Sequence, residues 1–185
     1  MTTTGLLLAA GAGRRMGAPK ALVEDWLVRS VGVLRDGGCA RVVVVLGAAA
    51  DEARRLLERQ HVDVLVAEDW DEGMGASLRA GLAALGGAED AALVSLVDLP
   101  DVGADVVRRL LNRAVTATTL ARATYGGSPG HPVLLGRDHW AGVVESARGD
   151  QGARAYLAAL DVVRVECGDL ATGRDVDRGG AVSGP

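Results

Sequence analysis

The stretch GLLLAAGAGRRMGAPK, residues 5–20, decides how the whole chain is read. Its opening GLLLAA is an unbroken apolar run stopped by glycines. That pattern predicts a β-strand buried on both faces, as in parallel sheets. The continuation places Gly11, Gly13 and Gly17 among Arg14, Arg15 and Lys20. Glycine lets a backbone turn sharply and come close to a ligand. The amide N–H groups of such a turn form an anion-binding nest. Three cations beside that nest suit a di- or triphosphate.

Working outward, apolar runs alternate with helical patterns. RVVVVLG from Arg41, HVDVLVAE from His61 and AALVSLVD from Ala91 read as further strands. Between them, residues 26–35 carry Leu27, Val31 and Leu34 on one helical face. Residues 51–60 form a helix with Leu56 and Leu57 turned inward. Residues 77–85 space Leu78, Leu82 and Leu85 at i, i+4 and i+7, and 105–114 form the next helix. TLARATYGGSPGHPVLLG from Thr119 reads as two strands around a Gly/Pro turn. Helices follow near 139–147 and 151–160, then short strands in DVVRVE and RDVD. This alternation predicts an α/β fold, a three-layer α/β/α sandwich with a mainly parallel sheet. Ligands of such sheets sit beyond the carboxyl ends of the strands. That places the chemistry at the first loop, the loop after the third strand, Asp98, and the end of the last strand.

The 185 residues fit a single domain, assigned to 1–178, with 179–185 as a frayed tail. Apolar residues at 49% and charged residues at 24% are globular composition, which argues against disorder. Cys39 and Cys167 stand far apart with no C-x-x-C, so neither a disulfide framework nor a structural zinc site is expected. The thiols fit a reducing, cytoplasmic setting. A net charge of −4 without a basic stripe argues against duplex nucleic acid. The 3% aromatic content argues against a stacking platform for single strands and mildly favours a monomer. No apolar stretch reaches the roughly 20 residues of a membrane helix. A small-molecule partner remains.

Two known phosphate loops fit the first loop poorly. The P-loop requires a glycine directly before its lysine. The dinucleotide fingerprint requires G-x-G-x-x-G, but Met16 holds the third glycine's place, and no acid follows the second strand. The string L-A-A-G-x-G-x-R-M-G-x-x-K instead resembles the signature of GT-A-like nucleotidyltransferases, in particular the MobA-like NTP transferases. The resemblance extends through VAEDWDEGMGASLRAGL (66–82), LVDLP (96–100), YGGSPGHPVLLGR (125–137), GDQGAR (149–154) and RDVD (174–177). A-A-G in the first loop is most like the molybdenum cofactor cytidylyltransferase branch.

The resemblance implies a nucleotide-diphospho-sugar transferase-like fold and an Mg²⁺-dependent nucleotidyltransferase. Such an enzyme moves CMP from CTP to a phosphorylated acceptor such as molybdopterin and releases pyrophosphate. Arg15, Lys20 and Asp98 are then the catalytic candidates. Ala9, Ala10, Gly11, Gly13, Arg14, Met16, Gly17, Gly73, Met74 and Ser77 are the nucleotide-binding candidates. His131 and Gly130 face the acceptor, and Asp98 and Asp177 hold the metal. The residues have their own readings. A carboxylate at the tip of a strand, as at Asp98 before Leu99-Pro100, suits Mg²⁺, which takes one or two protein carboxylates plus phosphate oxygens. Ser77 reads as a helix N-cap. Glu68, Asp69, Asp71 and Glu72 read as a solvated acidic loop, and Met16 and Met74 as packing residues. The chain departs from the family after Lys20, where ALVEDW runs almost straight into a helix, and after Asp177, where the closing acidic helix is missing. Two alternatives follow: a catalytically weak nucleotide-binding relative, and an NAD(P)-dependent reductase using the glycine loop for a pyrophosphate.

Overall fold

The computed structural model describes residues 2–176. β1 (Thr3–Ala9) is buried along its whole length, and its side chains alternate between two cores. Leu7 and Ala9 enter one, with the helices α1 (Trp26–Asp36), α2 (Ala50–Leu57) and α4 (Ala104–Leu111). Leu6 and Leu8 enter the other, with α3 (Met74–Ala83), α5 (Trp140–Ser146) and α6 (Arg154–Ala158). Each fully buried leucine contributes roughly 1.5–3 kcal/mol, so a strand that feeds both cores ties the two helical layers to the sheet.

The sheet has seven strands. With β2 (Arg41–Leu46), β3 (Asp63–Val66), β4 (Ala91–Leu96), β5 (Leu120–Tyr125), β6 (Ser128–Gly136) and β7 (Val163–Glu166), the order is β3-β2-β1-β4-β6-β5-β7. β3, β2, β1 and β4 run parallel. β6 is antiparallel to both β4 and β5, and β7 pairs parallel with β5. The parallel α/β core matches the sequence expectation, and the antiparallel β6 divides the sheet into two halves.

β3, expected as a strand, forms one at the edge of the sheet and is only partly buried, because no described strand covers its outer side. Several local expectations need correction. In α2 the inward stripe is Ala53 and Leu57, one helical turn apart, while Leu56 is 45% exposed. α3 begins three residues before Ser77, with Gly73 at its cap, so Ser77 lies inside the helix and is not its N-cap. Arg174 to Val176 of the RDVD segment form no strand. Asp177 and the 179–185 tail lie outside the described residues. After Lys20 the chain makes a single 3-10 turn, Lys20–Leu22, and enters α1 at Trp26.

Candidate functional site

The glycine loop leaves the end of β1 and folds on itself. The N–H groups of Met16 and Gly17 donate to the carbonyl of Gly13 at 2.8 and 2.9 Å, and that of Lys20 to Gly11 at 3.2 Å. These internal bonds leave the N–H groups of residues 11–14 outside the turn's own network. Gly13 sits at φ 57°, and a Cβ there would overlap the carbonyl oxygen of Ala18. Only glycine fits that position.

β4 delivers the acid. Two residues past its end, Asp98 is 5% exposed, and Val97 ties the segment to β1 through the carbonyl of Leu8. Lys20 Nζ donates to Asp98 Oδ2, so the loop's lysine and the strand-tip carboxylate form an ion pair across the first and fourth strand ends. Asp98 is nearly inaccessible, whereas the Lys20 side chain is one-fifth exposed. The chain returns to this point at its last described residue: Val176 N–H donates to the Asp98 carbonyl at 3.1 Å.

These groups line a cleft of about 330 Å³, within the range typical of small-molecule sites. Ala10, Gly11, Ala12, Arg14 and Lys20 form one wall, and Gly73, Met74 and Ser77 another. Asp98 closes the base with Leu96 and Val97. Ala9, Gly13, Arg15, Met16 and Gly17 do not line the cleft; Ala9 and Met16 pack into the core beneath it. His131 lines a neighbouring smaller cavity that shares Leu8, Met74 and Asp150 with the cleft, and Gly130 stands beside it on β6.

Other residues on the wall were not picked out as ligands by sequence reasoning. Trp70, Asp71 and Glu72 come from a 3-10 turn ahead of α3. Two acids read as a solvated loop therefore face the cleft, and Arg79 holds Glu72 at 2.7 Å. Asp150 joins them from the turn before α6. Its signal was the GDQGAR segment, which carried no residue assignment. Gly73 lets the two segments meet: at φ 117°, a Cβ there would lie 2.5 Å from Asp150 Oδ1.

The donor set suits a hard divalent cation. Asp98 offers a buried carboxylate beside the glycine loop, and magnesium-type ions take few protein carboxylates beside phosphate oxygens. Among the described residues no group of three or more His, Cys, Asp or Glu forms a complete protein cage. No described helix is long and apolar enough to cross a membrane.

The known proteins agree with this architecture. A curated relative, nicotine blue oxidoreductase of Paenarthrobacter nicotinovorans, is 37% identical over 192 residues, spanning 94% of this chain and 91% of its own. The crystal structure of Rv0371c from Mycobacterium tuberculosis H37Rv superposes with a TM-score of 0.81 at 27% identity, covering 96% of this chain and 94% of that one. Its complex with manganese gives a TM-score of 0.76 at 26% identity, covering 90% and 89%. Residues 5–165 match the MobA-like NTP transferase domain. The chain belongs to the MobA-like NTP transferase family.

Proposed function

We propose that the cleft transfers a nucleotidyl group from a nucleoside triphosphate, with CTP preferred, to a phosphorylated acceptor of the molybdopterin kind. The observation that carries this reading is the Lys20–Asp98 pair at the mouth of the glycine loop. A cation for phosphate and a carboxylate for a metal are held together there, next to amides outside the turn's network.

The residues divide the work as follows. The N–H groups of residues 11–13, with Arg14 and Lys20 on the cleft wall and Arg15 next to them in the loop, bind the triphosphate. Met16 and Gly17 shape the loop. Ala10, Gly73, Met74 and Ser77 enclose the nucleoside, and Ala9 packs in the core beneath them. Gly130 and His131 face the acceptor. Asp98 and Asp177 would hold Mg²⁺; Val176 bonding to the Asp98 carbonyl brings the chain to this end of the cleft one residue before Asp177. Manganese in the complex of the mycobacterial relative supports use of a divalent ion. When bound, that ion offsets charge on the phosphates.

An acceptor phosphate oxygen attacks the α-phosphorus. The new O–P bond forms as the α–β bridge breaks, and the electron pair leaves with pyrophosphate. The acceptor phosphate is already ionised near pH 7, so no general base is required. Catalysis then rests on positioning and charge stabilisation. Lys20 exchanges its carboxylate partner for phosphate as substrate enters, so the pair keeps a partly buried cation neutralised until then.

The test is a thermal-shift series with CTP, GTP, ATP and UTP, with and without Mg²⁺. It is paired with pyrophosphate release from CTP over a panel of phosphate monoesters and molybdopterin. A ligand at 100 times its Kd stabilises by about 2.7 kcal/mol. The expected result is Mg²⁺-dependent stabilisation, largest with CTP, and acceptor-dependent pyrophosphate release. No nucleotide stabilisation overturns the proposal.

A second reading, reduction with a nicotinamide nucleotide, is favoured by the relative named nicotine blue oxidoreductase. It would use the same loop for a dinucleotide pyrophosphate. Stabilisation by NADPH, with loss of its absorbance once a two-electron acceptor dye is supplied to take the hydride, and no pyrophosphate release, would establish it in place of the first.

A further inference from the structure

The smaller cavity beside the cleft, about 90 Å³, has Arg122, His131 and Arg154 on its wall. Arg122 lies on β5, His131 on β6, and Arg154 opens α6. Arg164 on β7 stands in register beside Arg122. Long-range pairing thus gathers three arginines and a histidine in an otherwise acidic protein.

None of these three arginines forms an ion pair among the described residues. Two carboxylates are close in the fold, yet neither neutralises them. Asp150 shares the wall without pairing to an arginine. Glu166, two residues beyond Arg164, is held by the N–H groups of Gly126, Gly127 and Gly168 and the hydroxyl of Thr124. Arg122 donates from Nη2 to the Gly130 carbonyl at 3.2 Å, and its Nε is buried with no partner among the described residues. Burial first, then the charges of Arg154 and Arg164, push the Arg122 guanidinium below its ordinary pKa. Burial, then Arg122 and Arg154, push His131 down to about 4, so it is neutral near pH 7. A buried donor without an acceptor, among cations that repel one another, costs free energy that an anion would recover. The planar guanidinium fork is suited to phosphate and carboxylate.

We propose that Arg122, His131, Arg154 and Arg164 form a second oxyanion subsite, which holds an anionic group of the acceptor while the triphosphate occupies the cleft. This rests on the reading of the cleft as a nucleotide site. The cavity's walls include neither Lys20, Asp98 nor the glycine loop. It is well below the roughly 300 Å³ of a typical whole-ligand pocket, so it takes one end of a ligand that continues past Met74 and Asp150.

The test is calorimetric titration of inorganic phosphate into the full chain, free and saturated with CTP and Mg²⁺, at constant ionic strength. Phosphate is expected to bind the nucleotide-loaded protein. Arg122→Gln and Arg154→Gln should each weaken it about ten- to hundredfold, the range of a charged hydrogen bond. Arg154 is exposed, so its variant keeps the fold if Arg122→Gln does not. In NMR titrations, bound phosphate should move the His131 midpoint upward, which a merely structural role would not do. Absence of phosphate binding, competition between phosphate and CTP for one site, or unaltered binding by Arg154→Gln would each overturn the subsite. If CTP fails to bind while phosphate still binds and depends on Arg154, the oxyanion subsite stands and the nucleotide reading falls.

Discussion

The two halves of the sheet handle positive charge in opposite ways. In the parallel half, β3-β2-β1-β4, the cations that line the cleft, Arg14 and Lys20, sit on a loop beyond the strand ends, and Lys20 is already matched to Asp98. In the other half, β6-β5-β7, Arg122 and Arg164 stand on the strands themselves and pair with no described carboxylate. A loop site is built by backbone geometry and glycine, and it can exchange an internal partner for a substrate. A strand site is built by side chains whose spacing the register fixes, and it is left short of negative charge. The first suits a reaction centre where partners change, the second a fixed anchor.

Removing charge from each half separates these roles with the largest expected effect. Asp98→Asn keeps the side chain's shape and removes the acid. Loss of one preorganised electrostatic group costs about 10²–10³ in turnover. The expected result is a fall of that order in kcat for pyrophosphate release, with the acceptor KM little changed. Arg154→Gln should do the reverse, raising the acceptor KM with a smaller change in kcat. Steady-state kinetics on both variants checks the contrast. Equal kinetic signatures would mean that the halves do not divide the work.

A smaller effect is expected where the halves meet. Gly73 precedes α3 in the parallel half, and Gly149 and Asp150 belong to the turn before α6. At Gly73 the backbone has φ 117° and ψ −171°, a conformation that is essentially glycine's alone. A Cβ there would also lie 2.6 Å from the Gly149 carbonyl carbon. Gly73→Ala should destabilise by about 1–3 kcal/mol and raise KM for nucleotide and acceptor together, because the turn it displaces borders both cavities. Denaturant midpoints and the two KM values check this. A KM change confined to one substrate would show that the halves move independently.

What the sequence made legible follows the same division. β1, β2 and β4 are short apolar runs because both their faces are buried, so pattern alone found them. Asp98 lies just past the end of such a run and Lys20 in the glycine loop that follows another, both where the strand-end rule directs attention. The arginine cluster could not be found that way. Arg122 and Arg164 are neighbours only because β7 docks parallel to β5, a pairing no local pattern encodes. Asp71 and Glu72 are exposed, as a solvated acidic loop requires, but only the 3-10 turn before α3 shows that they also border the cleft. Leu56 shows the limit of a two-leucine signal, since in a short helix either neighbour satisfies the periodicity and packing against the sheet chose Leu57.

The smallest expected effect concerns an anion that the strand half already holds. Hydrogen bonds from the Gly127 N–H, the Thr124 hydroxyl and the Gly126 and Gly168 N–H groups pull the Glu166 carboxyl down to about 2 from an ordinary 4.5. A carboxyl whose pKa is lower folded than unfolded stabilises the fold fully above its unfolded value, and that contribution fades as pH falls toward the folded one. The turn joining β5 to β6, and its tie to β7, should therefore hold above about pH 4.5 and loosen progressively toward pH 2. Following the Gly126 and Gly127 amide resonances against pH should give a shared midpoint near the lower value. Glu166→Gln should abolish that titration and expose the two amides to faster exchange at neutral pH. A midpoint at the ordinary glutamate value would mean that the turn's amides do not hold Glu166. That carboxylate would then be available to Arg164 two residues away, and the shortage of negative charge on which the second oxyanion subsite depends would disappear.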